Sequence, residues 1–210
     1  NPNLLMILAA IDIGSNAARL LITEVTVNDK KTVFEKLNLV RVPLRLGFDV
    51  FDQKEISSRK AAMFLNCIRS FKYLMDAYGV VRCKAAATSA MRDARNSAEI
   101  LDTVRKETGI EIEVISGDDE ASFIYENHIA EHLDKENAYL YIDVGGGNPE
   151  LTCFADNRLL FKKSFNIGTI RLIKNKVTEA HWDQMKDFLK KEIKGMVKHL
   201  TAIGSGGNIN

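Results

Sequence analysis

The chain is 210 residues long, enough to bury a substantial core in one large domain or two small ones. Its 46% hydrophobic and 27% charged residues exclude disordered and collagen-like chains, and a net charge of +1 supplies no general field to draw nucleic acid or an anionic membrane. Three cysteines, Cys67, Cys83 and Cys153, with an odd count and no CxxC pair, argue against a disulfide framework or a zinc finger and for a reducing cytoplasm.

The apolar opening, Leu4 to Ile11, is too short to span a bilayer and runs straight into Asp12. Leu5 to Ile13 reads as a central strand, Gly14-Ser15-Asn16 as its turn, Arg19 to Val27 as the returning strand and Thr32 to Val42 as a third. From Glu55 to Tyr78 the apolar residues Ile56, Met63, Cys67, Phe71, Leu74 and Tyr78 recur at helical spacing. A short strand from Arg82 to Thr88, a helix from Ala94 to Thr108 stopped by Gly109, and a strand from Glu111 to Ile115 come next. Ser116 caps a helix expected to reach about Leu133, with Asp118, Asp119 and Glu120 in its first turn, where acids suit the helix dipole.

Then the opening pattern returns. Ala138 to Asp143 is a strand, Gly145-Gly146-Gly147 a turn, Glu150 to Ala155 the returning strand and Arg158 to Phe165 a third. A helix starts near Thr169, a longer one runs from Glu179 to His199, and a strand from Leu200 to Ile203 opens onto Gly204-Ser205-Gly206-Gly207-Asn208. Ala-Ile-Asp-Ile-Gly-Ser-Asn at 10 to 16 and Tyr-Ile-Asp-Val-Gly-Gly-Gly at 141 to 147 share their layout, and each leads into a returning strand and a third strand. The repeat implies two α/β domains, residues 1–135 and 136–210. By internal comparison the second lacks roughly 50 residues that a complete domain would hold, so a C-terminally truncated second domain is expected.

An aspartate ending a buried strand, with glycines after it, has a chemical logic. Glycine lets the backbone turn tightly and bring its N–H groups against phosphate oxygens, and the aspartate can hold a hydrated magnesium ion. Magnesium keeps most of its waters and takes only one or two protein carboxylates, so Asp12, Asp143 and Glu150 suffice to seat it. One such turn alone reads as an ordinary β-hairpin. Two in matching contexts, with a third glycine loop holding Gly206 and Gly207, read as phosphate grips.

Asp12-Ile-Gly-Ser-Asn16-Ala-Ala-Arg19, Thr88-Ser-Ala-Met-Arg92-Asp-Ala94, Ile115-Ser-Gly-Asp-Asp-Glu120-Ala121 and Asp143-Val-Gly-Gly-Gly-Asn-Pro-Glu150 occur in this order. In these motifs, from about Ala9 to the end, the chain resembles the exopolyphosphatase and guanosine pentaphosphate phosphatase family, of the actin, sugar-kinase and heat-shock ATPase superfamily. The resemblance implies two ribonuclease-H-like domains with a phosphate-binding cleft between them. It also implies a magnesium-dependent hydrolase releasing terminal phosphate from inorganic polyphosphate or guanosine pentaphosphate, with a homodimer as the plausible assembly. Carried over by motif, Glu120 is the catalytic base and Asp143 and Glu150 are metal-linked acids. Asn16, Arg19, Ser89 and Arg92 grip phosphate alongside Gly14 and Ser15, and Gly145, Gly146, Gly147 and Asn148 form the second grip. The sequence departs from the family pattern at Asn148-Pro149, where the family has Ser-Thr, at Ala17 in place of a small hydroxyl, and at Ser122 in place of an arginine. These departures keep open an alternative, a catalytically weak sensor that binds polyphosphate or an alarmone.

Other features read as ordinary surface. His128 and His132 share a helix face but have no third metal ligand at a telling spacing, and the basic run from Lys186 to Lys198 reads as the exposed side of an amphipathic helix. The aromatic residues form no stacking array for single-stranded nucleic acid.

Overall fold

The computed structural model describes residues 4–28, 31–116, 137–155, 158–194 and 199–205. The chain divides into two compact units, Asn1–Val114 and Ile115–Asn210. The boundary expected at 135/136, the helix expected to run on from Ser116, Glu120, His128, His132, Gly206 and Gly207 all lie outside the described residues.

In the first unit, β1 (Leu4–Ile13), β2 (Ala18–Asn28) and β3 (Lys31–Val42) form an antiparallel meander. Strand alternation puts Ala9, Ile11 and Ile13 on one face with their partners Ile22, Leu20 and Ala18, all buried, and turns Asp12 to the other face with its partner Arg19. Two helices then cross over: α1 (Gly47–Gln53), which the sequence pattern does not reveal, and α2 (Ser58–Tyr78). The Ser57 hydroxyl accepts from the Lys60 N–H at the start of α2, and Gly79, at a left-handed φ of 69°, ends it. Phe64, Cys67, Ile68, Phe71 and Met75 form its buried stripe. Phe71→Ala is expected to cost about 3–5 kcal/mol through the cavity it leaves.

Strand β4 (Arg82–Ala87) pairs parallel with β1; α3 (Ser89–Asp93), α4 (Ser97–Thr108) and β5 (Ile112–Val114) come after it, β5 pairing parallel with β4. The sheet order is β3-β2-β1-β4-β5, with α2 packed on α4 and β2 and α1 packed on α3.

In the second unit β6 (Asn137–Val144), β7 (Pro149–Ala155) and β8 (Arg158–Ser164) repeat the meander, and β9 (His199–Ser205) pairs parallel with β6, giving the order β8-β7-β6-β9. Position by position these match β3-β2-β1-β4, so the repeat in the sequence is a repeat of topology. Between β8 and β9 come α5 (Thr169–Ile173) and α6 (Glu179–Ile193). One face of the sheet, with Leu140, Leu151, Cys153 and Phe161, is covered by Trp182, Met185, Phe188 and Leu189 of α6. Phe188 meets Phe161 and Phe165 edge-on, ring centroids 5.3 and 5.6 Å apart.

The long helix ends at Ile193 rather than at the expected His199, which opens β9 opposite Asn137. Ile193, Val197 and Leu200 keep helical spacing, but the backbone from His199 on completes the ladder with β6. Lys186, Lys190, Lys191 and Lys194 are exposed, as the amphipathic pattern predicts. No helix among the described residues is long and apolar enough to cross a membrane. The described residues thus form a mixed α/β fold with two sheets, as expected from the sequence, five strands in the first unit and four in the second.

Candidate functional site

The first glycine turn is built by hydrogen bonds from three directions. Gly14 N donates to Ala17 O at 3.0 Å and closes the hairpin. Arg45 N donates to Asn16 O at 2.7 Å and Gly47 N to Ser15 O at 2.8 Å, so the segment entering α1 takes up the turn's carbonyls. In a trans peptide the next N–H points away from the carbonyl before it, which turns the N–H groups of Asn16 and Ala17 to the opposite side.

The Ser15 and Ser89 hydroxyls, both expected to meet phosphate, bond each other at 2.7 Å while buried, and thereby tie the turn to α3. Thr88 N donates to Ile13 O at 3.0 Å, adding a second tie. Arg92, three residues on from Ser89 in α3, is exposed. Asn16 is exposed at the tip of the turn, and Arg19 forms an ion pair with Asp12 at 3.1 Å.

Arg45 sits at a left-handed φ of 53° and is held from behind. Lys60 Nζ donates to Arg45 O and lies 2.8 Å from Asp49 Oδ1, while Ser57 N and Oγ donate to Asp49 Oδ2 at 3.2 and 2.5 Å. Burial works to raise the Asp49 carboxyl's pKa, but the bonds from Lys60 and Ser57 outweigh it and hold the group below the usual carboxylate range. The start of α2 is thus coupled through Lys60 and Arg45 to the turn after β1.

The second turn is clamped differently. Gly168 N donates to Gly147 O at 3.1 Å, Thr169 N to Gly145 O at 3.3 Å, Ile170 N to Gly146 O at 2.8 Å, and Arg171 Nε to Gly147 O at 2.8 Å. A Cβ on Gly168 would sit 2.1 Å from Gly147 C and 2.4 Å from Gly146 O, so only glycine fits against this turn. Asn148 Nδ2 donates to Ser164 Oγ at 2.9 Å, which turns its amide toward β8, and its Oδ1 is buried without a hydrogen bond among the described residues. Pro149, first in β7, supplies no N–H.

Asp143 and Glu150 are directly opposite each other across β6 and β7. They share the sheet face of Tyr141 and Thr152, the reverse of the face covered by α6. Cross-strand Cβ atoms stand about 4.5–5.5 Å apart, so the two carboxyl groups can serve one ion. Glu150 is 7% exposed and its burial favours a cation close by. Among the described residues no group of three or more His, Cys, Asp or Glu side chains forms a metal cage. Two carboxylates beside a turn of N–H groups suit magnesium, which retains water and shares its shell with phosphate.

The matching register position in the first unit pairs Asp12 with Arg19, an acid with a base. The structure therefore brings Asp143 and Glu150 together, brings Asp12 and Arg19 together, and turns Ser15 and Ser89 toward each other. Gly47, Gly168 and Arg171 were missed by sequence reasoning. A signal existed for the glycines, since Leu46-Gly47 and Ile167-Gly168 come after the third strand of each meander.

The model of the Ppx/GppA phosphatase family matches residues 25–206. The chain belongs to this family. Solved family structures are similar along nearly all of it: the Aquifex aeolicus member has a TM-score of 0.73 at 28% identity, covering 96% of this chain and 67% of its own. An exopolyphosphatase from Cytophaga hutchinsonii has a TM-score of 0.78 at 27% identity, covering 95% and 66%. Among curated proteins, a bifunctional 3-dehydroquinate synthase/phosphatase of Fusobacterium nucleatum is 32% identical over 202 residues, 89% of this chain and 30% of that one. Exopolyphosphatase 1 of Mycobacterium tuberculosis is 30% identical over 167 residues, 80% of this chain and 48% of that one. The chain thus spans less than half the length of these two relatives.

Proposed function

We propose that the full-length protein is a magnesium-dependent phosphohydrolase that releases terminal phosphate from inorganic polyphosphate or from guanosine pentaphosphate. The observation that carries this reading is the facing pair Asp143 and Glu150 at the mouth of a glycine turn whose carbonyls are all taken up elsewhere. Membership of a phosphatase family, and similarity to exopolyphosphatases, support it.

Asp143 and Glu150 would hold the magnesium ion. When bound it supplies positive charge against the phosphoryl oxygens. The N–H groups of Gly146, Gly147 and Asn148 face away from α5 and bind phosphate oxygens there. For Asn16, Arg19 and Arg92 of the first unit, a part in binding phosphate rests on the motifs that hold them. Glu120 takes the proton of the attacking water, a role that rests on the motif around it. Phosphoryl transfer demands chiefly alignment and charge neutralisation, and these groups supply both.

The test is phosphate release from polyphosphate and from guanosine pentaphosphate, with and without magnesium, by the full-length protein and its Glu120→Gln variant. Magnesium-dependent release that collapses in the variant, with one compound preferred, is expected. Binding of either compound without release would instead favour a sensor, a reading to which Asn148-Pro149 contributes because that pair removes one backbone donor and commits an amide to Ser164.

A further inference from the structure

The clamp on the second turn has no assigned role, and its geometry gives it one. The carbonyls of Gly145, Gly146 and Gly147 each accept a hydrogen bond from the Gly168 to Arg171 segment. Each of these peptides is trans, so the N–H groups of Gly146, Gly147 and Asn148 are driven to the opposite side, together. Successive N–H groups converging in this way make an anion-binding concavity. A triple-glycine turn left to itself would sample many conformations, since each glycine loses more freedom on folding than any other residue.

We propose that Gly168 and Arg171 are positioning residues that hold the Gly145 to Gly147 turn with its amide face toward an anionic oxygen ligand. The proposal rests on the phosphohydrolase reading for the identity of that ligand, a phosphate oxygen. Gly168 contributes by having no side chain, because any Cβ collides with turn backbone that has no rotamer to move. Arg171 contributes a charged donor: its Nε gives Gly147 O a second hydrogen bond beside that from Gly168 N. This carbonyl precedes Asn148, so the doubled bond fixes the donor next to Pro149, where the backbone has no further N–H to give. In the first turn the backbone donors Arg45 N and Gly47 N take up the carbonyls of Asn16 and Ser15 in the same way.

The experiment compares full-length wild type with Arg171→Met, which keeps the apolar stem, Arg171→Lys, which keeps a charged donor, and Gly168→Ala. Glycine is labelled with nitrogen-15 and tripolyphosphate is the probe. In Arg171→Met the Gly146 and Gly147 amide signals should shift or broaden in the unliganded protein. Its tripolyphosphate affinity should fall about tenfold, as for loss of one charge-assisted hydrogen bond, with the melting temperature little changed. Arg171→Lys should recover most of that affinity, and Gly168→Ala, where it folds, should lose more. Unmoved glycine signals in Arg171→Met, or moved signals with full affinity, would overturn the proposal. Absence of tripolyphosphate binding by wild type would sink the phosphohydrolase reading, while the unliganded amide signals decide the clamp in either case.

Discussion

The turn after β1 and the turn after β6 occupy the same place in the same strand order, yet the residue across from the strand-ending aspartate differs. Asp12 faces Arg19 and is neutralised by it; Asp143 faces Glu150 and the negative charge is doubled. Duplicated topology therefore supplies two backbone cradles of one kind, and a single register position sets whether each offers a cation or calls for one. The clamps differ in the same spirit: the carbonyls of Ser15 and Asn16 in the first turn accept from backbone N–H groups, and at the second turn a guanidinium joins the backbone donors.

The largest expected effect comes from breaking the acid pair. Glu150→Gln should lower phosphate release by about 100-fold or more, at saturating polyphosphate and magnesium, because half of the carboxylate pair is gone. The urea midpoint should not fall, since the buried charge is replaced by a neutral group of the same shape. Next come the two buried hydroxyls of the first turn. Ser15→Ala and Ser89→Ala should each destabilise by about 1–3 kcal/mol in urea unfolding, because each leaves the other hydroxyl buried without its partner. The double variant should cost less than the sum, the mark of a direct pair.

A smaller effect is expected from Asp49→Asn, and it carries a pH signature. The folded-state pKa of Asp49 is depressed, so the stability it contributes is fully present above the unfolded value of about 3.9 and is lost as pH falls through the folded value. Wild type and variant should differ by a constant amount near neutral pH and converge in acid, as read by unfolding midpoints across that range. The smallest stability effect belongs to Arg19→Gln: the Asp12 pair is half exposed, so its loss should cost about 0–1 kcal/mol and vanish in high salt. Phosphate release by the same variant should nonetheless drop, which separates Arg19's part in stability from its part in binding.

Much of the fold was legible because its signals are local. Alternation in Ile11-Asp12-Ile13 and in Leu140 to Asp143, with glycines behind each, marks strand and turn directly, and the repeat of the two segments anticipated the matched sheets. Helices α1 and α3 escaped because seven and five residues hardly display a helical period; the equally short α5 was expected only as a start near Thr169, without an end. The overrun of α6 to His199 came from apolar spacing that persists beyond Ile193, where pairing with β6 decides the backbone. At the site, Asp143 and Glu150 were legible from their motif, but their facing register comes from the hairpin. The mutual bond of Ser15 and Ser89 links residues 74 positions apart, and no local pattern carries it. Gly168 was hidden for the same reason: what forbids a side chain there is the Gly146-Gly147 backbone, remote in sequence. The two cysteines buried in the cores, Cys67 and Cys153, have thiols pushed up to about 11 by burial, which suits packing residues rather than nucleophiles.

The measurement that bears most directly on the acid pair as the metal-holding half of the site is manganese binding, monitored by electron paramagnetic resonance, in the full-length protein with tripolyphosphate present. One tightly bound ion, displaced by magnesium, is expected in wild type, with most of that binding lost in both Asp143→Asn and Glu150→Gln and Asp12→Asn much less affected. Equal binding by wild type and the two second-turn variants, or a loss confined to Asp12→Asn, would contradict the assignment of the metal to Asp143 and Glu150.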